Sequence, residues 1–284
     1  MATRTFETRL RRSMPAALAY AVLLAATAFV LFPYFWMVLT SLKPIEEFFT
    51  YPLTWFSQNW TLRQYQLVLE DPRFLASLRN SFIVSIVVTA VSLLLSIPAA
   101  YGLVRLRVPA SKPILVAILS SQFFPPMIFF VPFYMILSRF QLLNTIPGLV
   151  FAYLSVTLPI CTWMVAQSFR NIPRELEEAA KIDGAGDWRT IWSVVLPLTV
   201  PGIITAGLFA FVLAWQEYIF ALLYTTTTAA QTAPVILFFF LGQHQIDYGR
   251  LMAAAVLLSF PIIVPFAFMQ RWFRQGATEG GVKG

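Results

Sequence analysis

The stretch Arg174 to Leu198, RELEEAAKIDGAGDWRTIWSVVLPL, is a polar island between two long apolar runs, patterned as a short helix, a tight turn and a second helix. Pro173 suits a first helical position, where no backbone donor is needed. Glu175, Glu177 and Glu178 put negative charge at the N-terminal end of the helix dipole. Leu176, Ala179, Ala180 and Asp183 recur at helical spacing on one side, with two alanines where another surface can approach closely. Gly184 stops the helix, because glycine takes the left-handed terminal conformation without a Cβ penalty. Asp187 can cap a second helix with Trp188, Ile191, Trp192 and Val195 as its apolar stripe, and Pro197 marks an expected change of direction.

The flanking runs set the environment. Of 284 residues, 58% are hydrophobic and 12% charged, with a mean hydropathy of +0.72. That balance is too apolar for a soluble globule of this size and places the chain in a lipid bilayer. Six runs are long enough to cross it, at about 16–39, 81–104, 114–137, 146–169, 199–224 and 251–269. The fold class is therefore all-α: a polytopic membrane protein of six helices in one domain, 1–284, with a polar loop at 170–198 and a tail at 270–284. The first run is expected to be a retained helix, since no small-residue cleavage site in polar surroundings follows it. The apolar 235–241 is too short to span and reads as a surface or re-entrant segment.

Lys and Arg orient these spans. Arg4, Arg9, Arg11, Arg12, Arg105, Arg107, Lys112, Arg170, Arg174, Lys181, Arg189, Arg271, Arg274 and Lys283 fall on one side. Lys43, Arg63, Arg73, Arg79, Arg139 and Arg250 fall on the other. The excess puts both termini and the 170–198 loop in the cytoplasm. The net charge of +7 is accounted for by that asymmetry, so no nucleic-acid partner is expected.

Few residues offer chemistry. The single cysteine, Cys161, lies in an apolar run and reads as packing; the single histidine, His244, reads as a loop residue. No metal site and no catalytic cluster is expected. Glu217 is the only ionisable residue inside a predicted span, and a charge there costs about 2.5 to 3.5 kcal/mol, so it calls for a cavity or a partner. With Trp215 and Tyr218 beside it, and Gln122 in the third span, it forms a candidate substrate pathway, since aromatic faces with hydrogen-bonding groups suit carbohydrate. An interhelical bond or interfacial anchor is the alternative reading; for Gln122 and Gln167 it is the simpler one. Pro98, Pro125, Pro126, Pro132, Pro159, Pro201, Pro261 and Pro265 lead us to expect kinked or locally unwound spans. The long outer loop 43–80, with Tyr51, Trp55, Phe56, Trp60 and Tyr65, suits a lid on the membrane surface or a docking face.

Glu178-Ala179-Ala180, then Gly184, then Val194 and Leu196-Pro197, resembles the EAA loop of ABC-importer permeases, with valine where isoleucine is usual. SLKPIEEFF, NSFIVSIVVT, AAYGLVRLRV, LNTIPGLVFAY and the closing Gly280 to Gly284 are similar to the second permease subunit of the maltose-type sugar importers. The resemblance implies a type I permease fold in a prokaryotic inner membrane. It implies a coupling helix that docks on a separate ATPase, carried by Glu178, Ala179, Ala180, Asp183, Gly184, Leu196 and Pro197. The tail Gly281, Val282, Lys283 and Gly284 would reach the ATPase interface. The implied partners are a second related permease, two ATPase subunits and an extracellular sugar-binding protein. ATP and Mg would be bound by the ATPases, with no cofactor on this chain, which lacks a G-x-x-x-x-G-K-[ST] phosphate loop. The implied activity is alternating-access import of a di- or oligosaccharide, transport rather than enzymatic turnover. An ABC importer for glycerol phosphate, an amino acid or a peptide would share the loop. A stand-alone secondary carrier would need coupling charges in several helices, and only Glu217 is available.

Overall fold

The computed structural model describes residues 2–52, 54–106, 108–241 and 246–279, and among them every regular element is helical. The elements are α1 (Ala2–Ser41), α2 (Arg63–Glu70), α3 (Pro72–Val104), α4 (Ser111–Ser120), α5 (Phe130–Arg139) and α6 (Ile146–Arg170). They continue with α7 (Glu175–Ile182), α8 (Asp187–Thr190), α9 (Leu196–Trp215), α10 (Ile219–Tyr224), α11 (Ala233–Phe239) and α12 (Tyr248–Glu279). Among the described residues five helices are long and apolar enough to cross a membrane, and a bent pair makes a sixth if both arms count as one span. The all-α class is what a bilayer demands, because a helix satisfies its own backbone where no water is present.

The chain forms two compact units. One comprises Asp71–Phe239 with Leu258–Gly284, and its centre is α3, α6 and α9 packed on one another. The packing follows from small residues. Ser77, Ser81, Ser85, Ser92, Ser96 and Ala100 line the buried face of α3, where small side chains let backbones approach. Ser92 and Thr157 share a hydrogen bond of 2.8 Å, and Ser96 and Thr162 one of 3.1 Å, tying α3 to α6. On α9, a Cβ at Gly202 would collide with the Ser168 side chain of α6, so glycine sets that helix separation.

Two loops are pinned in the same unit by asparagines. Asn80 Nδ2 donates to the carbonyls of Thr228, Ala229 and Gln231. Asn144 Oδ1 accepts from the backbone N–H groups of Thr226 and Thr227. Thr145 then caps α6 by accepting from Gly148 N at 3.2 Å, and a Cβ on Gly148 would collide with the Leu142 carbonyl. This explains the segment Asn144-Thr145-Ile146-Pro147-Gly148 in physical terms: brace, cap, proline in the first turn and clearance.

The expected third span, 114–137, is not continuous. α4 gives way to 3₁₀ turns at Ser121–Phe123 and Pro126–Phe129 before α5, and the two arms are bent by 91°. Phe124 and Pro125 each precede a proline, and both are extended, at ψ 131 and 128, because a following proline excludes the α region. At Pro98, Pro159, Pro201, Pro261 and Pro265 the helix continues without a break. At Pro159 the carbonyl left without a donor is that of Ser155, and Gln122 Nε2 donates to it at 3.4 Å.

Boundaries also move. The second span, expected from 81, begins at Pro72, where Asp71 caps α3 by accepting from Arg73 N. The chain does not change direction at Pro197. Trp188–Trp215 is one helical run, carried through a π turn at Ile191–Val195 in which Leu196 N donates to Ile191 O. The wider turn gives the proline ring room that an α turn would deny it. The fifth span, expected over 199–224, stops at Trp215 and restarts at Ile219. The sixth, expected to end at 269, continues as helix to Glu279, because an established helix adds each further residue without a new nucleation cost.

The other unit comprises Met1–Glu70 with Phe240–Leu257. Here the outer loop folds onto the end of α1: Trp55 stacks edge-on against Trp36 at 5.3 Å, Lys43 Nζ lies 5.0 Å from the Trp36 ring centroid, and Lys43 donates to the Thr54 carbonyl. Ser41 and Tyr65 share a 2.7 Å hydrogen bond. Trp55 and Tyr65 thus anchor the loop to α1, while Tyr51, Phe56 and Trp60 remain exposed.

Candidate functional site

The loop between α6 and α9 has the expected helix, turn and second helix, but both helix starts shift: α7 begins at Glu175 with Arg174 as its N-cap, leaving Pro173 outside the helix, and α8 begins at Asp187 itself rather than after it. α7 carries Glu175, Glu177 and Glu178 in its first turn. It ends in a Schellman motif, with Ala185 N donating to Ala180 O at 2.9 Å and Gly184 N to Lys181 O at 3.0 Å. Gly184 holds φ +83 in open space, so the backbone angle alone demands glycine there. Thr190 N donates to Gly186 O at 2.9 Å, starting the second helix at once.

The surface of this loop is displayed outward. Glu178, Ala179, Asp183, Gly184 and Pro197 are exposed, while Ala180 and Leu196 are half-buried. Ile182 is 86% exposed and Trp188 73%, with Trp192 exposed beside Trp188 at 5.8 Å between rings. The expected stripe Trp188, Ile191, Trp192 and Val195 therefore divides, since Val195 joins the buried cluster with Phe169, Val165 and Ala206 while the tryptophans face away.

The base of the loop is fixed by Arg105, a residue whose sequence context marks only a positive charge at the end of a span. Arg105, at the C-cap of α3, is 5% exposed in its side chain. Its Nε lies 2.8 Å from Glu177 Oε1, an ion pair in which the N–H is not aligned as a hydrogen bond. Its Nη2 donates to the carbonyls of Phe169 at 2.7 Å and Ile172 at 2.8 Å, at and just past the end of α6. Arg174 Nη2 reaches back to the Val104 carbonyl at 3.3 Å. One guanidinium thus joins α3, α6 and α7, which suits its planar fork of donors. The signal available in the sequence was an arginine directly after an apolar run, which Arg139 and Arg170 at the ends of α5 and α6 share without making this joint.

The second set of candidates behaves differently. Trp215 is 3% exposed, and its Nε1 donates to Leu258 O at 3.1 Å. Its ring packs edge-on against Phe82 at 4.7 Å. Glu217 caps α10, with Oε1 accepting from Phe220 N at 2.8 Å and Oε2 from Ala221 N at 3.2 Å. Tyr218 is half-buried and packs against Phe238. Gln122 is committed to the Ser155 carbonyl. These four residues are thereby placed in packing, capping and interhelical bonding. Cys161 is buried with its Sγ facing Ala206 O. His244 and the tail Gly281, Val282, Lys283 and Gly284 lie outside the described residues.

Among the described residues, five long apolar helices and a bent apolar pair, with a helical loop whose outer edge is exposed, define a polytopic membrane protein. The chain belongs to the family of binding-protein-dependent transport system inner membrane components, which it matches over residues 92–279, a range that contains the whole braced loop. It is a multi-pass transport permease. Among its relatives is the sulfoquinovosyl glycerol transport system permease protein SmoH of Agrobacterium fabrum, 37% identical over 254 residues, 89% of each chain. Another is the trehalose/maltose transport system permease protein MalG of Thermococcus litoralis, 34% identical and covering 89% of this chain and 92% of the relative. In fold it is similar to a chain of a bacterial ABC transporter involved in the import of the acidic polysaccharide alginate, with a TM-score of 0.77 at 20% identity, covering 90% of this chain and 96% of that one. A structure of a bacterial alginate ABC transporter in complex with a pentasaccharide-bound periplasmic protein gives a TM-score of 0.66 at 16% identity, covering 91% and 94%.

Proposed function

We propose that this chain is one of two permease subunits of an ATP-driven sugar importer in a prokaryotic inner membrane, and that α7 is its coupling helix. The observation that carries the reading is the contrast within the loop: its base is locked to α3 and α6 through Arg105, while Ile182, Trp188 and the Glu178-Ala179 edge stand exposed. A docking element transmits motion only if its base is held and its contact surface is not covered by its own chain, and the bonds of Arg105 and the exposure of Ile182 and Trp188 support both. ATP and Mg are bound on two ATPase subunits that grip this surface. Closure of those subunits pulls α7, Arg105 carries the displacement to α3 and α6, and the cavity between this chain and a second permease changes access. An extracellular binding protein delivers the sugar, by analogy with the periplasmic protein of the alginate system. The carbohydrate class rests on relatives named for sulfoquinovosyl glycerol and for trehalose and maltose.

Affinity purification of the chain from its native membrane tests the reading. Co-purification of an ATPase and a second permease, with a delivery protein that binds a sugar, is the expected result. Recovery of the chain alone in mild detergent would overturn it and favour the stand-alone carrier.

A further inference from the structure

A cleft of about 240 Å³ lies between α4 and α6, lined by Lys112, Leu115, Val116, Leu119, Trp163, Gln167 and Arg170. Its lining follows from register. Lys112, Leu115, Val116 and Leu119 share one face of α4, and Trp163, Gln167 and Arg170 one face of α6, at spacings of three, four and seven. Lys112 lies in the first turn of α4 and Arg170 closes the last turn of α6, so both cations stand at the same end of the cleft. Leu119 and Trp163 lie seven residues farther in, about 10 Å along each helix. No carboxylate is among the lining residues.

Charge at one end and apolar wall beyond it is the layout of an amphiphile, not of a soluble ion. A free phosphate would meet the two cations but leave Leu115, Val116, Leu119 and Trp163 without a partner, whereas an acyl chain covers them. The cleft opens on membrane helices, at the side where Lys and Arg concentrate, and basic pockets between such helices take anionic lipid headgroups. We propose that this cleft is a binding site for one anionic phospholipid, its phosphate held by Lys112 and Arg170 and an acyl chain lying along Leu115, Val116, Leu119 and Trp163. Gln167, between the two zones, is placed to bond the ester region. The inference rests on membrane insertion alone and is independent of which solute is carried or which ATPase docks.

The test is native mass spectrometry of the purified assembly after exchange into bilayers of phosphatidylglycerol, phosphatidylcholine or an equal mixture. Wild type is expected to retain one phosphatidylglycerol in preference to phosphatidylcholine. The double variant K112Q/R170Q is expected to lose that preference by about tenfold or more, and K112R/R170K to keep it. V116W, which fills the apolar wall without touching the charges, should also displace the lipid. Equal retention of both lipids by wild type, or an unchanged preference in K112Q/R170Q, would overturn the proposal. Displacement by inorganic phosphate as readily as by phosphatidylglycerol would make this an anion site instead. A cross-link from V116C to another polypeptide of the assembly would make a protein the occupant.

Discussion

Two interruptions of the helical chain, the loop at 174–198 and the turn at 216–218, treat their polar and aromatic residues in opposite ways. At the turn, both carboxylate oxygens of Glu217 cap α10 and the indole N–H of Trp215 is spent on Leu258, so the group is closed within the chain. At the loop only the base is closed, through Arg105, and the outer edge, with Ile182 and Trp188, is left open. Residue type alone marked both places as functional candidates. What separates them is whether the hydrogen-bonding and apolar capacity is already used by the same chain: a group that is satisfied internally holds the fold, and one left unsatisfied at a stiff surface is available to another molecule.

The largest effect expected is at the joint. Arg105→Ala would strand Glu177, 13% exposed in its side chain, and remove two charge-assisted bonds to the end of α6. Loss of one partner of such a pair costs about 3 to 5 kcal/mol, so a large drop in the thermal midpoint of the detergent-solubilised protein is expected, together with loss of transport. Arg105→Lys keeps the charge but not the fork and should fall between. If Arg105→Ala unfolds at the wild-type temperature, the brace does not hold the loop, and its base is no more closed than its outer edge.

Gly184→Val comes next. The left-handed angle costs a β-branched residue about 1 to 3 kcal/mol, with no collision to add to it. The Schellman bonds would loosen and α7 would swing, so transport is expected to be lost while membrane insertion and abundance stay normal. Loss of the protein from the membrane would move Gly184 from the coupling element to the folding core.

Sequence and structure part company along the same line. The loop was legible because its elements are local: three glutamates at a helix start, a glycine at its end and apolar residues at helical spacing all act within a few residues. The spans were legible because apolar length is a property of composition. Arg105 was not, since its partners Glu177, Phe169 and Ile172 are remote in sequence and only the packing of α3 on α6 brings them together. The bonds of Glu217 and Trp215 were not legible either, because a lone charge in a span looks the same whether it faces a pathway or caps the helix that begins two residues later. The 91° break in the third span shows a different limit. Each proline was visible, yet only the consecutive pair Pro125-Pro126 forces two extended residues in a row, whereas isolated prolines stay within helices.

Glu217 offers a sharper test of the closed turn. Glu217→Ala removes the cap of α10 and should cost about 1 kcal/mol, seen as a modest fall in the thermal midpoint. Glu217→Gln retains one acceptor oxygen for the Phe220 N–H and should keep most stability and transport. A Glu217→Gln protein of normal stability that no longer transports would show that the negative charge itself is needed and would return the residue to the substrate pathway.

The smallest change in the protein itself is expected at the open edge. Ile182→Asp and Trp188→Asp replace side chains that are 86% and 73% exposed, so no cavity is created and stability should shift by no more than about 0.5 kcal/mol. An aspartate in a desolvated contact is costly, however, so co-purification of the ATPase is expected to fall sharply for both variants while co-purification of the second permease is unchanged. That separation matters more than the size of either effect. If the ATPase stays bound at wild-type levels, Ile182 and Trp188 meet lipid headgroups or water rather than a partner. The open edge would then be open for no functional reason, and the coupling proposal would rest on the Glu178 to Gly184 segment alone.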